Sequence, residues 1–286
     1  MSIIPFKIMS QDYADGKLAG LDMAPTIRWY ELNGQLFFSK LTELFQNPKK
    51  QLPYQLVNSN MLPLSQDEIA ALIGLFPQNA IDRSILESIV GQSETWFHRD
   101  SRQEQPIPTN DISLALSPTA SIPSYTDYAK WTEEKPSADV VLYRIDGSAA
   151  SGNVRKIISV QGFLHEFGGH TIIAPAFNIP EYSLRLPNGR IVKGFNYLIE
   201  FAKMAEKHAP ISHYASAYRG KNNKFESDSP SYNPLIAISE ELSEVIAAHI
   251  LGFAFCGEDL RGKNPFADRP EIKEFAENFL NAALVK

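Results

Sequence analysis

The chain has 286 residues, of which 44% are hydrophobic and 21% are charged, and its formal net charge is −6. A chain of this length and composition is expected to bury a sizeable core, as one large domain or two modest ones, and is not typical of a disordered protein. The 27 lysine and arginine residues are scattered along the sequence. We therefore expect no basic surface of the kind that binds nucleic acid.

Targeting and redox signals are equally sparse. Cys256 is the single cysteine, which excludes an intrachain disulfide and a metal site built on several cysteines. The first residues, MSIIPFKIMSQDYADGK, lack the apolar core of a Sec signal peptide. No segment approaches the roughly 20 apolar residues of a membrane helix. The sequence predicts a cytoplasmic protein, or one exported without a Sec signal peptide.

The first hundred residues are predicted to be mostly helical. Ser65 and Glu68 form a capping box before the apolar stretch IAALIGLF, which halts at Pro77. A second helix is expected from about Ile81 to Val90.

A segment at 101–124 is crowded with proline, serine, threonine and asparagine, a composition that favours irregular backbone. It suggests a boundary between an N-terminal region, 1–104, and a second region, 105–286. The alternative is that the two regions pack as one unit.

The second region mixes strand and helix patterns, so the predicted fold class is α+β. Asn188-Gly189 between short apolar runs indicates a hairpin. Strand composition and helical periodicity predict the other elements. These are a strand at 138–145, a helix at 156–170 stopped by Pro175, a helix at 195–208, a polar loop at 219–233 and a helix at 238–253.

The segment QGFLHEFGGH carries the strongest chemical signal. His165 and His170 are five residues apart, which on a regular helix of about 100° per residue separates them by about 140°. Two ligands of one ion would then need a local unwinding or a π-type bulge. Gly168-Gly169 is where such a bulge is least costly. The alternative is a pair of ordinary histidines at a glycine-terminated helix end.

The helix at 238–253 supplies a candidate third ligand. Glu240 and Glu244 lie at i, i+4 spacing on one side, opposite an apolar face. Two carboxylates at this spacing repel unless a cation lies near them. The alternative is a solvated acidic face on a surface helix.

Together these segments resemble the gluzincin metallopeptidases, in which an HExxH motif is paired with a later glutamate motif. HEFGGH resembles the HExxGH form of the dipeptidyl peptidase III family, and SEELSE resembles its second motif. The stretch FAKMAEKHAPISHYA resembles a segment of the lethal-factor-type toxin peptidases, where a tyrosine assists catalysis. The likeness covers roughly residues 155–255.

The resemblance implies a zincin-like catalytic region, with a small twisted sheet and two metal-bearing helices, that follows the mostly helical N-terminal region. His165, His170 and Glu240 would bind Zn²⁺, with Glu241 as the alternative ligand if the helix is rotated. Glu166 would be the general base. Glu244 would accept a ring N–H of a ligand histidine.

Tyr214 is the predicted oxyanion donor by the same resemblance, with Tyr218 and His213 as substitutes. The strand at 138–145 would bind an extended peptide if its edge is free.

The predicted activity is zinc-dependent hydrolysis of peptide bonds in a peptide or protein substrate. Two alternatives stay open: a zinc hydrolase acting on a non-peptide acyl group, and a catalytically inactive zincin-fold protein that binds a partner. The five-residue histidine spacing is the feature that favours the inactive alternative.

Overall fold

The computed structural model describes most of the chain beyond residue 52. The described residues are 42–43, 45, 53–92, 124–132, 134–143, 152–212, 215–216, 218–228, 232–252 and 264–285. They form a mixed α+β fold, as predicted. The described helices include no candidate for a membrane-spanning segment.

The helices and strands follow one another in this order. They are β1 (Gln55–Val57), a 3-10 turn (Ser59–Met61), α1 (Gln66–Ile73), α2 (Gln78–Arg83), β2 (Leu86–Gln92), β3 (Ser124–Asp127), β4 (Ala138–Tyr143), α3 (Gly152–Leu164), a π-helix (His165–His170), α4 (Thr171–Asn178), β5 (Ser183–Arg185), β6 (Ile191–Lys193), α5 (Gly194–Ala205), a 3-10 turn (Lys221–Asn223), α6 (Pro234–Leu251), α7 (Pro270–Asn281) and β7 (Ala283–Leu284).

Near the N-terminal end of the described residues, one helix prediction is confirmed and one is wrong. The capping box of Ser65 and Glu68 opens α1, with both of its reciprocal hydrogen bonds formed. The helix expected from about Ile81 to Val90 is instead the short α2 followed by β2. A short apolar run fits a buried strand as well as a helix. Pairing of β2 with two neighbouring strands decides for the strand.

The larger sheet has the strand order β1-β2-β4-β3. Strands β1, β2 and β4 are parallel, while β3 runs antiparallel to β4 with Thr126 opposite Val140. The strand predicted at 138–145 is confirmed as β4, but it is hydrogen-bonded to β2 and β3, so it has no free edge to which a peptide could add. Because β2 joins β4, described residues on both sides of the predicted boundary share one sheet.

The helix that carries the two histidines does not stop before Pro175, as the sequence predicted, but passes through it to Asn178. Proline has no N–H, so the carbonyl of Thr171, four residues earlier, loses its helical partner. The backbone N–H of Ile85, at the entry to β2, donates to that carbonyl at 3.1 Å. A hydrogen bond from a distant segment thus allows the helix to continue.

The elements that follow this helix include a hairpin and two helices that the sequence predicted. The hairpin predicted at Asn188-Gly189 is confirmed as β5 and β6, with Gly189 at φ 85°. Helices α5 and α6 confirm the predictions at 195–208 and 238–253, although Phe253, the last residue predicted for the second of these helices, lies outside the described residues. α6 is buried around its circumference from Ile236 to Ala248. The alternative of a solvated acidic face is therefore wrong.

Candidate metal centre

A π-helix places the two histidines together. In this segment the N–H of Thr171 donates to the carbonyl of Glu166, five residues earlier, which adds one residue to the turn. The ring centroids of His165 and His170 lie 5.0 Å apart. The predicted bulge is confirmed. The alternative of a helix end at His170 is wrong, because α4 follows directly.

The two glycines of the π-helix are needed for packing against neighbouring elements. A Cβ added at Gly169 would lie 2.8 Å from the Cα of Ser243 on α6, and closer still to the Ser243 side chain. A Cβ at Gly168 would lie 2.7 Å from the ring of Phe76 and 2.9 Å from Ile246. The glycines therefore let the π-helix lie directly on α6, the helix that carries the candidate third ligand.

Three candidate ligand atoms converge where the π-helix meets α6. His165 Nε2 lies 3.1 Å from Glu240 Oε2 and 3.2 Å from His170 Nε2. The distance from His170 Nε2 to Glu240 Oε2 is 3.5 Å. Among the described residues, this group has the composition and spacing to hold a metal ion.

The outer ring nitrogens of both histidines have partners of their own. His165 Nδ1 lies 2.8 Å from Glu244 Oε1, the carboxylate predicted for this contact, and His170 Nδ1 lies 3.3 Å from Ser239 Oγ. Contacts of this kind fix the orientation and tautomer of a ligand histidine. Both rings therefore present Nε2 to the common point.

Electrostatics at this point favour a cation. Glu166, Glu240 and Glu244 are all buried. Within the described part of the chain, no lysine or arginine lies within ion-pair distance of these three carboxylates. Burial lowers the pKa of His165, but its bonds to Glu240 and Glu244 outweigh this and raise the pKa well above 6.5. In the metal-free protein a protonated His165 supplies the positive charge.

Glu240 shows the complementary shift. Burial raises its pKa, while interaction with His170 and the hydrogen bond of His165 bring the pKa below the ordinary value of 4.5. The carboxylate of Glu240 is therefore ionised at neutral pH.

These shifts predict how the stability of the metal-free protein depends on pH. The stabilisation from His165 is fully present below about pH 6.5, its unfolded pKa, and is lost as pH rises through the raised folded pKa. The stabilisation from Glu240 is present above about pH 4.5 and is lost as pH falls through its lowered pKa. We expect the difference in Tm between chelator-treated wild type and His165→Gln to be largest between these two values. A Tm difference between the two proteins that does not vary with pH would contradict the raised pKa of His165 and the lowered pKa of Glu240.

Glu166, the predicted general base, is held by β3. Thr126 Oγ1 donates to Glu166 Oε2 at 2.7 Å, and Ser124 Oγ donates to Glu166 Oε1 at 3.2 Å. Tyr128, just beyond the strand, donates to the carbonyl of His170 at 3.3 Å. Burial, and then the negative charges of Glu166 and Glu240, raise the pKa of this phenol well above its ordinary value. Tyr128 therefore lies in the electrostatic field of both carboxylates.

Sequence reasoning missed these three hydroxyl residues. They lie at every second position of SYTDY, a spacing that puts Ser124, Thr126 and Tyr128 on one side of an extended segment. That alternation was the available signal. It was hidden because the composition of the segment 101–124 favours irregular backbone up to the first of these residues. Apart from Ser124, that segment lies outside the described residues.

Glu241, the alternative ligand, is engaged elsewhere. Both of its carboxylate oxygens accept from Arg219, at 2.6 Å from Nε and 2.8 Å from Nη2. The guanidinium also donates to the carbonyl of Asn223 and lies over the ring of Phe225. This arrangement turns Glu241 away from the histidines and corrects the alternative in favour of Glu240.

Of the predicted oxyanion donor and its two substitutes, the structure describes one. Tyr214 and His213 are not among the described residues. Tyr218 is buried in the hydrophobic core.

Comparisons with protein-family models, with curated proteins and with solved structures give no match for this chain.

Proposed function

We propose that the chain is a zinc-dependent peptidase with a zincin-like catalytic part, in which His165, His170 and Glu240 bind the metal. The observation that carries the proposal is the set of separations of 3.1, 3.2 and 3.5 Å between the three ligand atoms. A tetrahedral ion with bonds of about 2.0–2.1 Å separates its ligand atoms by about 3.3–3.4 Å. Two imidazoles and one carboxylate with an open fourth position are typical of catalytic zinc.

A bound zinc ion would polarise a scissile carbonyl and lower the pKa of a water molecule. Glu166, next to His165 in the π-helix, would accept the proton of that water and deliver it to the leaving amine. Glu244 and Ser239 would hold the two imidazoles in their tautomers. Tyr214, proposed by resemblance, would donate to the oxyanion.

The π-helix weakens the main reason to favour an inactive protein. That alternative was based on a five-residue spacing that separates the histidines on a regular helix. With the added residue, their Nε2 atoms lie 3.2 Å apart. The same centre would also serve hydrolysis of other acyl groups, which only substrates distinguish from peptidase activity.

Metal content tests the proposal first. We expect about one zinc ion per chain, by elemental mass spectrometry, in wild type and Glu166→Gln purified without metal resin. His165→Ala and Glu240→Ala are expected to lose it, because each removes a ligand. A wild type that binds no zinc even after reconstitution would overturn the proposal.

Turnover then separates an enzyme from a binding protein. With a pool of fluorescence-quenched peptides, Glu166→Gln should lower kcat by about 100-fold to 10,000-fold while it keeps its zinc, since it removes only the base. Equal turnover by wild type and Glu166→Gln would show that Glu166 is not the base. Zinc binding without cleavage by the wild type would favour the inactive alternative.

A further inference from the structure

The hydroxyls of β3 make a contact that the proposed mechanism does not explain. Ser124 and Thr126 are two residues apart on a strand, so both side chains lie on the same face of it, toward the π-helix. Both are buried at 4% exposure. Each donates to a different oxygen of the Glu166 carboxylate.

The two hydroxyl donors fix the orientation of the Glu166 carboxylate plane, which the backbone does not determine. The carbonyl of Glu166 is already held by the N–H of Thr171. The last torsion of a glutamate is broad and roughly two-fold, so the carboxylate plane is otherwise poorly determined. One hydrogen bond to each oxygen selects a single plane. A carboxylate has about four acceptor positions, and two remain for a water molecule.

A second carboxylate on the same sheet offers a comparison. Asp139, on the opposite face, accepts from Ser88 Oγ at 2.6 Å and also forms an ion pair with Lys130. Glu166 has no lysine or arginine within ion-pair distance among the described residues. Among the described residues, the groups that bond to its carboxylate are the neutral hydroxyls of Ser124 and Thr126.

We propose that Ser124 and Thr126 are positioning residues that hold the Glu166 carboxylate in the plane from which it accepts a proton. This inference rests on the proposed peptidase function. Loss of the hydroxyls leaves the three metal ligands in place and misdirects the base.

The test compares Thr126→Val, Ser124→Ala and their combination with Thr126→Ser. Ser88→Ala is the matched control, because it removes a buried hydroxyl–carboxylate bond from the same sheet at a distance from the centre. On peptides that the wild type cleaves, we expect Thr126→Val to lower kcat about tenfold to 100-fold with little change in KM. Zinc content should stay at the wild-type value, and Thr126→Ser should restore most of the rate. Unchanged kcat in the combined variant, or an equal loss in Ser88→Ala, would overturn the inference.

Crystal structures of the metal-free wild type and the combined variant give a readout that needs no substrate. We expect the Glu166 carboxylate to rotate or lose a single orientation in the variant, with the π-helix unchanged. A carboxylate that keeps its plane without the hydroxyls would overturn the inference even if no peptide is cleaved. If the variant loses the orientation and the wild type binds no zinc, the orienting role of the hydroxyls is supported and the result counts against the proposed function alone.

Discussion

Replacing Gly169 by alanine is expected to abolish metal binding and to destabilise the fold by about 3 kcal/mol, the upper end of ordinary overpacking penalties. The new methyl group would occupy space held by Ser243, whose Cα lies 2.8 Å from the Cβ position. Relief requires the π-helix to move away from α6. That movement separates His165 and His170 from Glu240, because the histidines and the glutamate lie on opposite sides of this contact.

Urea unfolding of the metal-free protein measures the loss of stability, and competition with a zinc chelator measures the loss of affinity. Gly74→Ala is a suitable control. Gly74 also has right-handed helical angles, and its added Cβ would lie 3.2 Å from the nearest atom, Ala71 O. We expect that control to change neither quantity greatly.

A second substitution tests the steric explanation. Ser243→Gly removes the side chain that the new methyl group meets, so Gly169→Ala combined with Ser243→Gly should recover part of the stability and affinity. Recovery would appear as a non-additive coupling between two residues in contact. Wild-type zinc affinity in Gly169→Ala alone would show that the helix contact does not set the ligand geometry.

Replacing Arg219 by methionine is expected to cost about 3–5 kcal/mol of stability, because it leaves the Glu241 carboxylate buried without its partner. Arg219 is 2% exposed and Glu241 is 3% exposed. Replacing both residues by methionine should restore most of that loss, since a well-packed apolar pair avoids the cost of desolvating two charges. Urea unfolding of the two variants measures both effects.

An exposed pair provides the matched comparison. Arg190 and Glu200 form an ion pair with side chains that are 51% and 42% exposed, so Arg190→Met should change stability by less than about 1 kcal/mol. The double variant at 219 and 241 should keep its zinc, because Glu240 is untouched. Loss of zinc from a folded double variant would identify Glu241 as a ligand, against the observed pairing.

Local patterns in the sequence predicted the parts of the fold that depend on neighbouring residues. The capping box at Ser65 and the hairpin at Asn188-Gly189 are complete within a few residues, and both are confirmed. The π-bulge was predictable from one argument about angles, because two ligands of one ion must share a face. Predicting that Glu240 groups with the histidines required that argument and a second observation, the i, i+4 spacing of Glu240 and Glu244.

Features set by distant contacts were not predictable in this way. Pro175 normally interrupts a helix, and only the donor at Ile85 explains why it does not do so here. The apolar spacing at 81–90 fits a helix. The segment from Leu86 is a strand because it pairs with β1 and β4, and these partners are not evident from the local sequence. The pairing of Glu241 with Arg219 depends on a loop 22 residues earlier, whereas the sequence offers Glu240 and Glu241 side by side.

The hydrogen bond between Ile85 and Thr171 also bears on the order of events in folding. It closes a long loop, as do the contacts of Thr126 with Glu166 and of His165 with Glu244, which join residues 40 and 79 positions apart. Closing such loops lowers the entropy of the chain before the contacts that stabilise the closed loop have formed, so non-local contacts slow folding. His165 and His170 contact Glu240 only after α6 has packed against the π-helix. A growing chain that ends before α6 lacks Glu240, so the cluster of His165, His170 and Glu240 is complete only when synthesis has passed this helix and folding has brought it into place.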